Sequence, residues 1–126
     1  MSAVYFIFLG DDFLKICIDP GHGGKDPGAV SGGQAEKDIV LKISLTLANI
    51  LKEKGLEVFM TRESDIYESV DIKALKANVS KSDLFVSIHC NSAASERAEG
   101  TECLIYSYDN KSDALKDTEV LLASQE

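Results

Sequence analysis

The chain has 126 residues, of which 44% are hydrophobic and 27% charged, and its formal net charge is −8. This length suits one domain built on a single hydrophobic core, and the composition is that of an ordinary globular protein. The acidic balance argues against nonspecific binding to nucleic acid or to anionic membranes, because both need basic patches. Three cysteines without a CxxC spacing argue against a disulfide scaffold.

Residues 1–14 contain one apolar stretch, from Ala3 to Leu9. No basic residue precedes this stretch, and Asp11 and Asp12 follow it, so we do not recognise a signal peptide. It is also too short for a membrane span, which needs about 20 apolar residues. We therefore treat residues 1–14 as an N-terminal arm whose structure the sequence leaves open, and we expect the folded domain over residues 15–126.

Strand and helix patterns then alternate along the chain. We predict strands at 14–19, 56–61, 84–88 and 102–108, and helices at 36–54, 69–79 and from 112 or 113 to the C-terminus. The alternation favours an α/β fold: a single domain with a mostly parallel open sheet and helices on both faces. The strand at 84–88 is a near-continuous apolar run, so we expect Val86 and Ile88 to be buried in a central strand.

Apolar spacing predicts which face each helix buries. In the first helix the predicted stripe comprises Ile39, Ile43, Leu47 and Ile50, with Val40 and Leu51. In the second it comprises Ile72, Leu75 and Val79, and in the last Leu115, Val120, Leu121 and Leu122.

The only two histidines of the chain stand at the ends of predicted strands. His22 lies in the glycine-rich turn after the first strand, and His89 directly follows the strand at 84–88. If these strands are parallel neighbours, both imidazoles lie at the carboxyl edge of one sheet, where open α/β sheets bind ligands. A lone histidine in a loop, such as His22, is more often a surface residue than a ligand, and His89 taken alone is as often a hydrogen-bonded core residue. Two at strand ends favour a catalytic zinc site.

A third ligand would have to be a carboxylate or a cysteine. Glu36 is well placed at the start of the first helix, although the helix dipole alone also favours glutamate there. Cys90 is a weaker candidate, since adjacent strand residues point to opposite faces. Asp19 and Asp26 suit hydrogen bonds that hold a ligand or brace the loop. The loop itself fits neither GxGxxG nor GxxxxGK[ST], which argues against a phosphate site.

Six motifs follow one another along the chain: Ile18-Asp19-Pro20-Gly21-His22-Gly23-Gly24, Glu36-Lys37-Asp38, Met60-Thr61-Arg62, Ala77-Asn78, the run from Asp83 to Asn91, and Gly100-Thr101-Glu102. Together they resemble the zinc-dependent N-acetylmuramoyl-L-alanine amidases of the type-3 catalytic domain, over about residues 15–126. The resemblance implies Zn²⁺ held by His22, Glu36 and His89, and substrate contact by Asn91. It also implies hydrolysis, by zinc-activated water, of the amide between N-acetylmuramic acid and L-alanine of peptidoglycan.

Two departures from the family pattern stand out. Lys73 occupies a place where the family usually has arginine. The family's domain also continues to a late strand that carries a general-base glutamate, and no residue here matches it, so we expect a domain that lacks its C-terminal elements. Glu102 is the nearest substitute in this chain, although a structural role suits it better. An alternative function is therefore a noncatalytic zinc or muropeptide-binding domain.

The resemblance also implies where the protein acts and on what. Its partner would be peptidoglycan, in an extracellular or cell-wall-associated role in peptidoglycan catabolism, as for an autolysin. We expect no nucleic-acid partner and no membrane span. Absent late elements would leave a sheet edge uncovered, and self-association through that edge is then expected.

Overall fold

The computed structural model of the protein describes residues 14–90, 100, 102–104 and 120–122. These residues belong to two compact units, one containing residues 14–90 and the other containing the later residues. The elements of the first unit, in chain order, are β1 (Lys15–Pro20), β2 (Val30–Ser31), β3 (Gln34–Ala35), α1 (Glu36–Glu53), β4 (Glu57–Met60), α2 (Val70–Ser80) and β5 (Leu84–Ile88). Neither α1 nor α2 is long and apolar enough to cross a membrane.

The first unit is built on a parallel sheet of three strands in the order β4-β1-β5. Ile18 of β1 lies opposite Met60 of β4 and Val86 of β5. Residues 16–18 of β1 are fully buried although successive side chains point to opposite faces, so both faces of this strand are covered. The predicted α/β fold with a parallel open sheet is confirmed.

The central strand of this sheet is β1, and not β5 as the sequence predicts. Among the described residues β5 pairs with β1 alone and lies at the edge. Val86 and Ile88 are only half-buried, and Phe85 is 48% exposed. In the part of the chain that the structure describes, the apolar run at 84–88 therefore does not form a strand buried on both faces.

Helix α1 buries only part of the predicted stripe: Val40 and Leu51 are buried as expected. Its buried residues are Glu36, Val40, Ser44, Ala48 and Leu51, whereas Ile43 and Ile50 are 48% and 44% exposed. The small side chains of Ser44 and Ala48 let the helix approach the sheet closely. Burial of Ser44 leaves no unmet hydrogen bond, because its hydroxyl donates to the Val40 carbonyl over 2.6 Å.

Helix α2 also differs from its prediction, because its one buried residue is Lys73. The predicted inward residues Ile72, Leu75 and Val79 are 45%, 57% and 70% exposed. The helix is anchored to β1 by polar contacts: the Lys73 ammonium donates to the Pro20 carbonyl over 2.6 Å and lies 3.0 Å from an oxygen of Asp19. Apolar spacing could not indicate this face, since the residue that defines it is charged.

The second unit contains an antiparallel pair of strands, β6 (Glu102–Leu104) and β7 (Val120–Leu122), with Cys103 opposite Leu121. The start of the predicted strand at 102–108 is thereby confirmed. The predicted final helix is wrong at 120–122, where the backbone pairs with β6 instead. Short apolar runs fit a strand or a helix equally well, and pairing with another strand decides between them. Residues 105–119 and 1–13 lie outside the described part.

Candidate metal centre

The site lies at the carboxyl ends of β1 and β5, where the amino end of α1 meets them. His22 lies two residues beyond β1, His89 directly follows β5, and Glu36 is the first residue of α1. Because β1 and β5 are parallel neighbours, with Pro20 opposite Ile88, both strands deliver their histidines to one edge. The structure thus brings together the three residues that the sequence predicts as ligands.

The three side chains surround one carboxylate oxygen. Oε1 of Glu36 lies 3.1 Å from Nε2 of His22 and 3.2 Å from Nδ1 of His89. One ligand atom from each of the three residues can be chosen so that all lie within 4.8 Å of one another. Ligands about 2.0–2.1 Å from a tetrahedral metal are separated by roughly 3.3 Å. The two nitrogen–oxygen spacings are therefore already close to those of a single bound ion.

Glu36 is held as a buried carboxylate, with an exposed fraction of 5%. Its Oε2 accepts a hydrogen bond from the Ala29 amide over 2.9 Å, and Oε1 accepts one from the Cys90 amide over 2.8 Å. Burial alone would raise the pKa of Glu36, but these amide bonds and the two histidines outweigh it, so the pKa lies below its ordinary value. The ionised form, which a metal needs, is thus favoured.

Cys90 contributes its backbone to the site. Its amide is one of the donors to Glu36. The pKa of its thiol is raised, first by burial and then by the charge of Glu36. A raised pKa disfavours the thiolate that a metal requires, which agrees with the weak prediction of Cys90 as a ligand.

Asp26 holds the imidazole of His22. Its Oδ2 lies 2.9 Å from Nδ1 of His22, and its Oδ1 accepts a hydrogen bond from the Gly28 amide over 3.1 Å. The hydrogen bond with His22, followed by that from Gly28, keeps the pKa of Asp26 below its usual range. An ionised Asp26 accepts the Nδ1 proton and so fixes the ring and its tautomer. Asp26 thus fills both roles that the sequence suggests for it, since it holds a candidate ligand and braces the loop through Gly28.

This tautomer leaves the Nε2 lone pair of His22 facing a carboxylate. When Nδ1 donates to Asp26, neutral His22 has no proton on Nε2, yet Nε2 lies 3.1 Å from the ionised Glu36 oxygen. Two electron-rich atoms at this distance repel each other unless a cation lies between them. A proton or a metal ion is therefore part of the arrangement.

The backbone around His22 is fitted to the cluster. His22 itself has φ +57°, in the left-handed region that side chains other than glycine rarely adopt. At Gly28 a Cβ atom would lie 2.6 Å from Cδ2 of His22 and 2.7 Å from Oε2 of Glu36. A residue with a side chain at position 28 would therefore displace two of the three candidate ligands.

Asp19 lies beneath the site and does not touch the cluster. It is 6% exposed and accepts hydrogen bonds from the hydroxyls of Thr61 over 2.6 Å and Ser87 over 2.9 Å, in addition to its ion pair with Lys73. It joins the ends of β1, β4 and β5, which is the bracing role considered from the sequence.

Three further residues complete the account of the predicted site. Asn91 lies outside the described residues. Glu102 lies in β6 of the second unit, paired with Leu122, and stays a prediction. Arg62 was quoted from the sequence only as part of a motif, yet it is 2% exposed and bonded to the backbone beside two candidate ligands. Its only local signal is its place directly after a strand and before a polar stretch.

Comparison with known proteins points to the same chemistry. A family model described as N-acetylmuramoyl-L-alanine amidase matches residues 16–122. The chain is 45% identical over 87 residues to N-acetylmuramoyl-L-alanine amidase AmiC of Neisseria meningitidis serogroup B, covering 68% of this chain and 21% of that protein. It is 43% identical over 95 residues to the sporulation-specific N-acetylmuramoyl-L-alanine amidase of Bacillus subtilis, covering 74% of this chain and 36% of that protein.

Solved structures give a similar result. The catalytic domain of CwlV, an N-acetylmuramoyl-L-alanine amidase of Bacillus (Paenibacillus) polymyxa var. colistinus, aligns with a TM-score of 0.66 at 38% identity. The alignment covers 70% of this chain and 51% of that one. The chain thus spans about half of this solved domain, and smaller shares of the two curated relatives it matches.

Proposed function

Because the chain belongs to the N-acetylmuramoyl-L-alanine amidase family, a family of enzymes, we propose that it is a metal-dependent amidase of peptidoglycan. The bond cleaved would be the amide between N-acetylmuramic acid and L-alanine. The metal would be Zn²⁺, held by His22, Glu36 and His89. Action on such a substrate implies an extracellular or cell-wall-associated protein.

The observation that carries the metal is the contact between His22 and Glu36. When neutral His22 donates its Nδ1 proton to Asp26, its opposite nitrogen lies 3.1 Å from the Glu36 oxygen with a lone pair that can bind a cation. His89 adds a second imidazole nitrogen 3.2 Å from the same oxygen. A divalent cation would offset the repulsion among these electron-rich atoms, and all three side chains could bind it together.

The donor set and the reaction together favour zinc. Two imidazoles and one carboxylate with an open position form a known catalytic zinc site. Mononuclear non-haem iron uses a similar set, but its chemistry is oxidation. Hydrolysis of an amide transfers no electrons, and zinc suits it because zinc has no redox chemistry.

The reaction adds water across the amide bond. When bound, zinc would lower the pKa of a water molecule to about 7 and polarise the amide carbonyl. The oxygen of water joins the muramoyl carbonyl carbon, the carbon–nitrogen bond breaks, and the L-alanine nitrogen takes a proton to leave as an amine. Asp26 and Glu36 would contribute by keeping His22 oriented and the site negatively charged.

Proton transfer needs a further group, because both described carboxylates of the cluster are already engaged: Asp26 with His22, and Glu36 with two amides and the histidines. We propose that a general base from outside this cluster takes the proton of water and passes it to the amine. Glu102 is the candidate that this sequence offers, and Glu102→Gln is the variant that tests it.

The decisive experiment measures metal content and the release of stem peptides from purified cell walls by the same preparation. We expect stoichiometric zinc, and release that stops with a chelator and returns when zinc is added. Glu36→Gln should lose both, whereas Glu53→Gln, at the exposed far end of α1, should keep both. Release that is insensitive to chelation would overturn the metal dependence. Zinc binding without release would instead support the noncatalytic binding domain.

A further inference from the structure

The side chain of Arg62 is buried behind the metal cluster and bonds only to backbone carbonyls. Its Nε donates to Pro20 over 3.1 Å and its Nη1 to Ser64 over 3.1 Å. Its Nη2 donates both to Gly21 over 2.7 Å and to Lys37 over 3.0 Å. Four carbonyls from separate parts of the chain are thus gathered by one guanidinium group.

Two of these carbonyls belong to the immediate neighbours of candidate ligands. Gly21 precedes His22, and Lys37 follows Glu36. The same nitrogen of Arg62 bonds both carbonyls, so the loop that carries His22 and the helix that begins with Glu36 are tied to a single atom. A planar guanidinium holds its nitrogens in a rigid fork, which fixes the distance between whatever it binds.

The charge of Arg62 gives no simple reason for its burial. In the described part of the chain, no carboxylate oxygen lies within ion-pair distance of it. Burial lowers its pKa, although the charges of Asp65 and Asp19 oppose that effect. Burying an arginine without a direct partner is costly, and a buried charge is weak support for stability. The burial of Arg62 is therefore better explained by the positions in which it holds the four backbone carbonyls than by its charge.

Lys73 makes a useful comparison. It too is a buried cation, 7% exposed, and it too donates to the Pro20 carbonyl. Its other partner is Asp19, and in the structure it does not bond to Gly21 or Lys37. Two cations therefore support the end of β1, but only Arg62 reaches the backbone on both sides of the cluster.

We propose that Arg62 is a positioning residue that sets the spacing between His22 and Glu36 and thereby the affinity for the metal. It touches neither ligand side chain and acts through the backbone. Loss of its fork leaves a folded protein in which the two ligands no longer hold the spacing of one ion. The identity of the ion, Zn²⁺, rests on the proposed function.

The test compares zinc dissociation constants by chelator competition with free energies of unfolding. We expect Arg62→Lys and Arg62→Gln to weaken zinc binding about 10–100-fold, the range seen when outer partners of metal ligands are removed. Leu51→Ala, a buried change on the far part of α1, is the control for lost stability and should leave zinc affinity unchanged. Wild-type zinc affinity in Arg62→Lys would overturn the proposal, whatever its stability.

A second measurement works on the metal-free protein. Amide hydrogen exchange should become faster in Arg62→Lys at Gly23, Glu36 and Lys37, whose amides bond within the loop that Arg62 holds, while amides between β1 and β4 keep their protection. Equal protection in both proteins would also overturn the proposal. If wild-type protein bound no zinc, the proposed function would fail, but this exchange experiment would still decide the role of Arg62.

Discussion

His89 packs directly against Gly21. A Cβ atom on Gly21 would lie 2.6 Å from Nδ1 and 2.7 Å from Nε2 of the His89 ring. The Gly21 amide also donates to the Ile88 carbonyl over 2.9 Å. The backbone just after β1 therefore forms the surface against which the imidazole of His89, just after β5, packs. Gly21 has no positive φ, and only its missing side chain matters here.

Gly21→Ala is therefore a selective probe of the candidate metal site. The methyl group must push the His89 ring aside, and the ring can move because it is 46% exposed. We expect zinc affinity to fall about 10–100-fold, as for other disturbed ligand settings, with a loss of unfolding free energy below about 1 kcal/mol. Chelator competition and urea denaturation check the two values. A large stability loss with unchanged zinc affinity would contradict this account.

Gly28→Ala and Gly55→Ala form a matched pair. Both glycines have positive φ, +65° and +84°, so both variants carry a similar backbone strain of about 1–2 kcal/mol. Only position 28 faces His22 and Glu36, because nothing lies within 4 Å of a Cβ atom at position 55. We expect both variants to be destabilised and only Gly28→Ala to lose zinc. Zinc titration of the two folded variants compares their affinities. Equal affinities would refute the inference that Gly28 packs closely against the candidate ligands.

Core packing of α1 is tested by Leu51→Ala against Ile43→Ala. Leu51 is 5% exposed, and truncating it should cost on the order of 2–5 kcal/mol of unfolding free energy. Ile43 is 48% exposed, and its truncation should cost less than about 0.5 kcal/mol. Urea denaturation measures both. A larger loss for Ile43→Ala than for Leu51→Ala would contradict the buried face described here.

Asp65 should make a small, pH-dependent contribution to stability. Hydrogen bonds from the Lys37 ammonium and then the Gly24 amide lower its pKa. Since the folded pKa is depressed, the contribution is complete above the unfolded value of about 3.9 and is lost as the pH falls through the folded value. Asp65→Asn should lower the urea midpoint at pH 7 and match wild type at about pH 2. Because Asp65 is exposed, salt should shrink the difference. A difference that persists in acid would count against this ion pair.

The position of the cluster could be predicted from sequence because it depends on few facts. Two strands that end in histidines need only be parallel neighbours for His22 and His89 to meet, and a helix that begins at the same edge adds Glu36. This prediction uses only the positions of the three residues along the backbone and needs no knowledge of their side-chain rotamers. The family motifs pointed to the same residues, so pattern and resemblance agreed.

The buried faces could not be predicted in the same way. Val40 and Leu51 of the predicted α1 stripe are buried, but Ser44 and Ala48 share their face, whereas the predicted Ile43 and Ile50 are exposed. Hydrophobic periodicity favours the larger side chains, whereas close approach to the sheet favours the smaller ones. Arg62 and Lys73 were missed for a related reason: their buried partners are backbone carbonyls and one carboxylate, which no spacing of apolar residues reports.

The left-handed backbone of His22 makes the residue that is best for stability different from the residue that is best for metal binding. A φ of +57° suits glycine, and any other residue there gives up roughly 1–2 kcal/mol. A library randomised at position 22 and sorted only for thermal stability should therefore enrich His22→Gly, while sorting for cell-wall hydrolysis should retain histidine. Selection for stability alone would thus remove one of the three candidate metal ligands, so stability and metal binding make opposite demands on position 22.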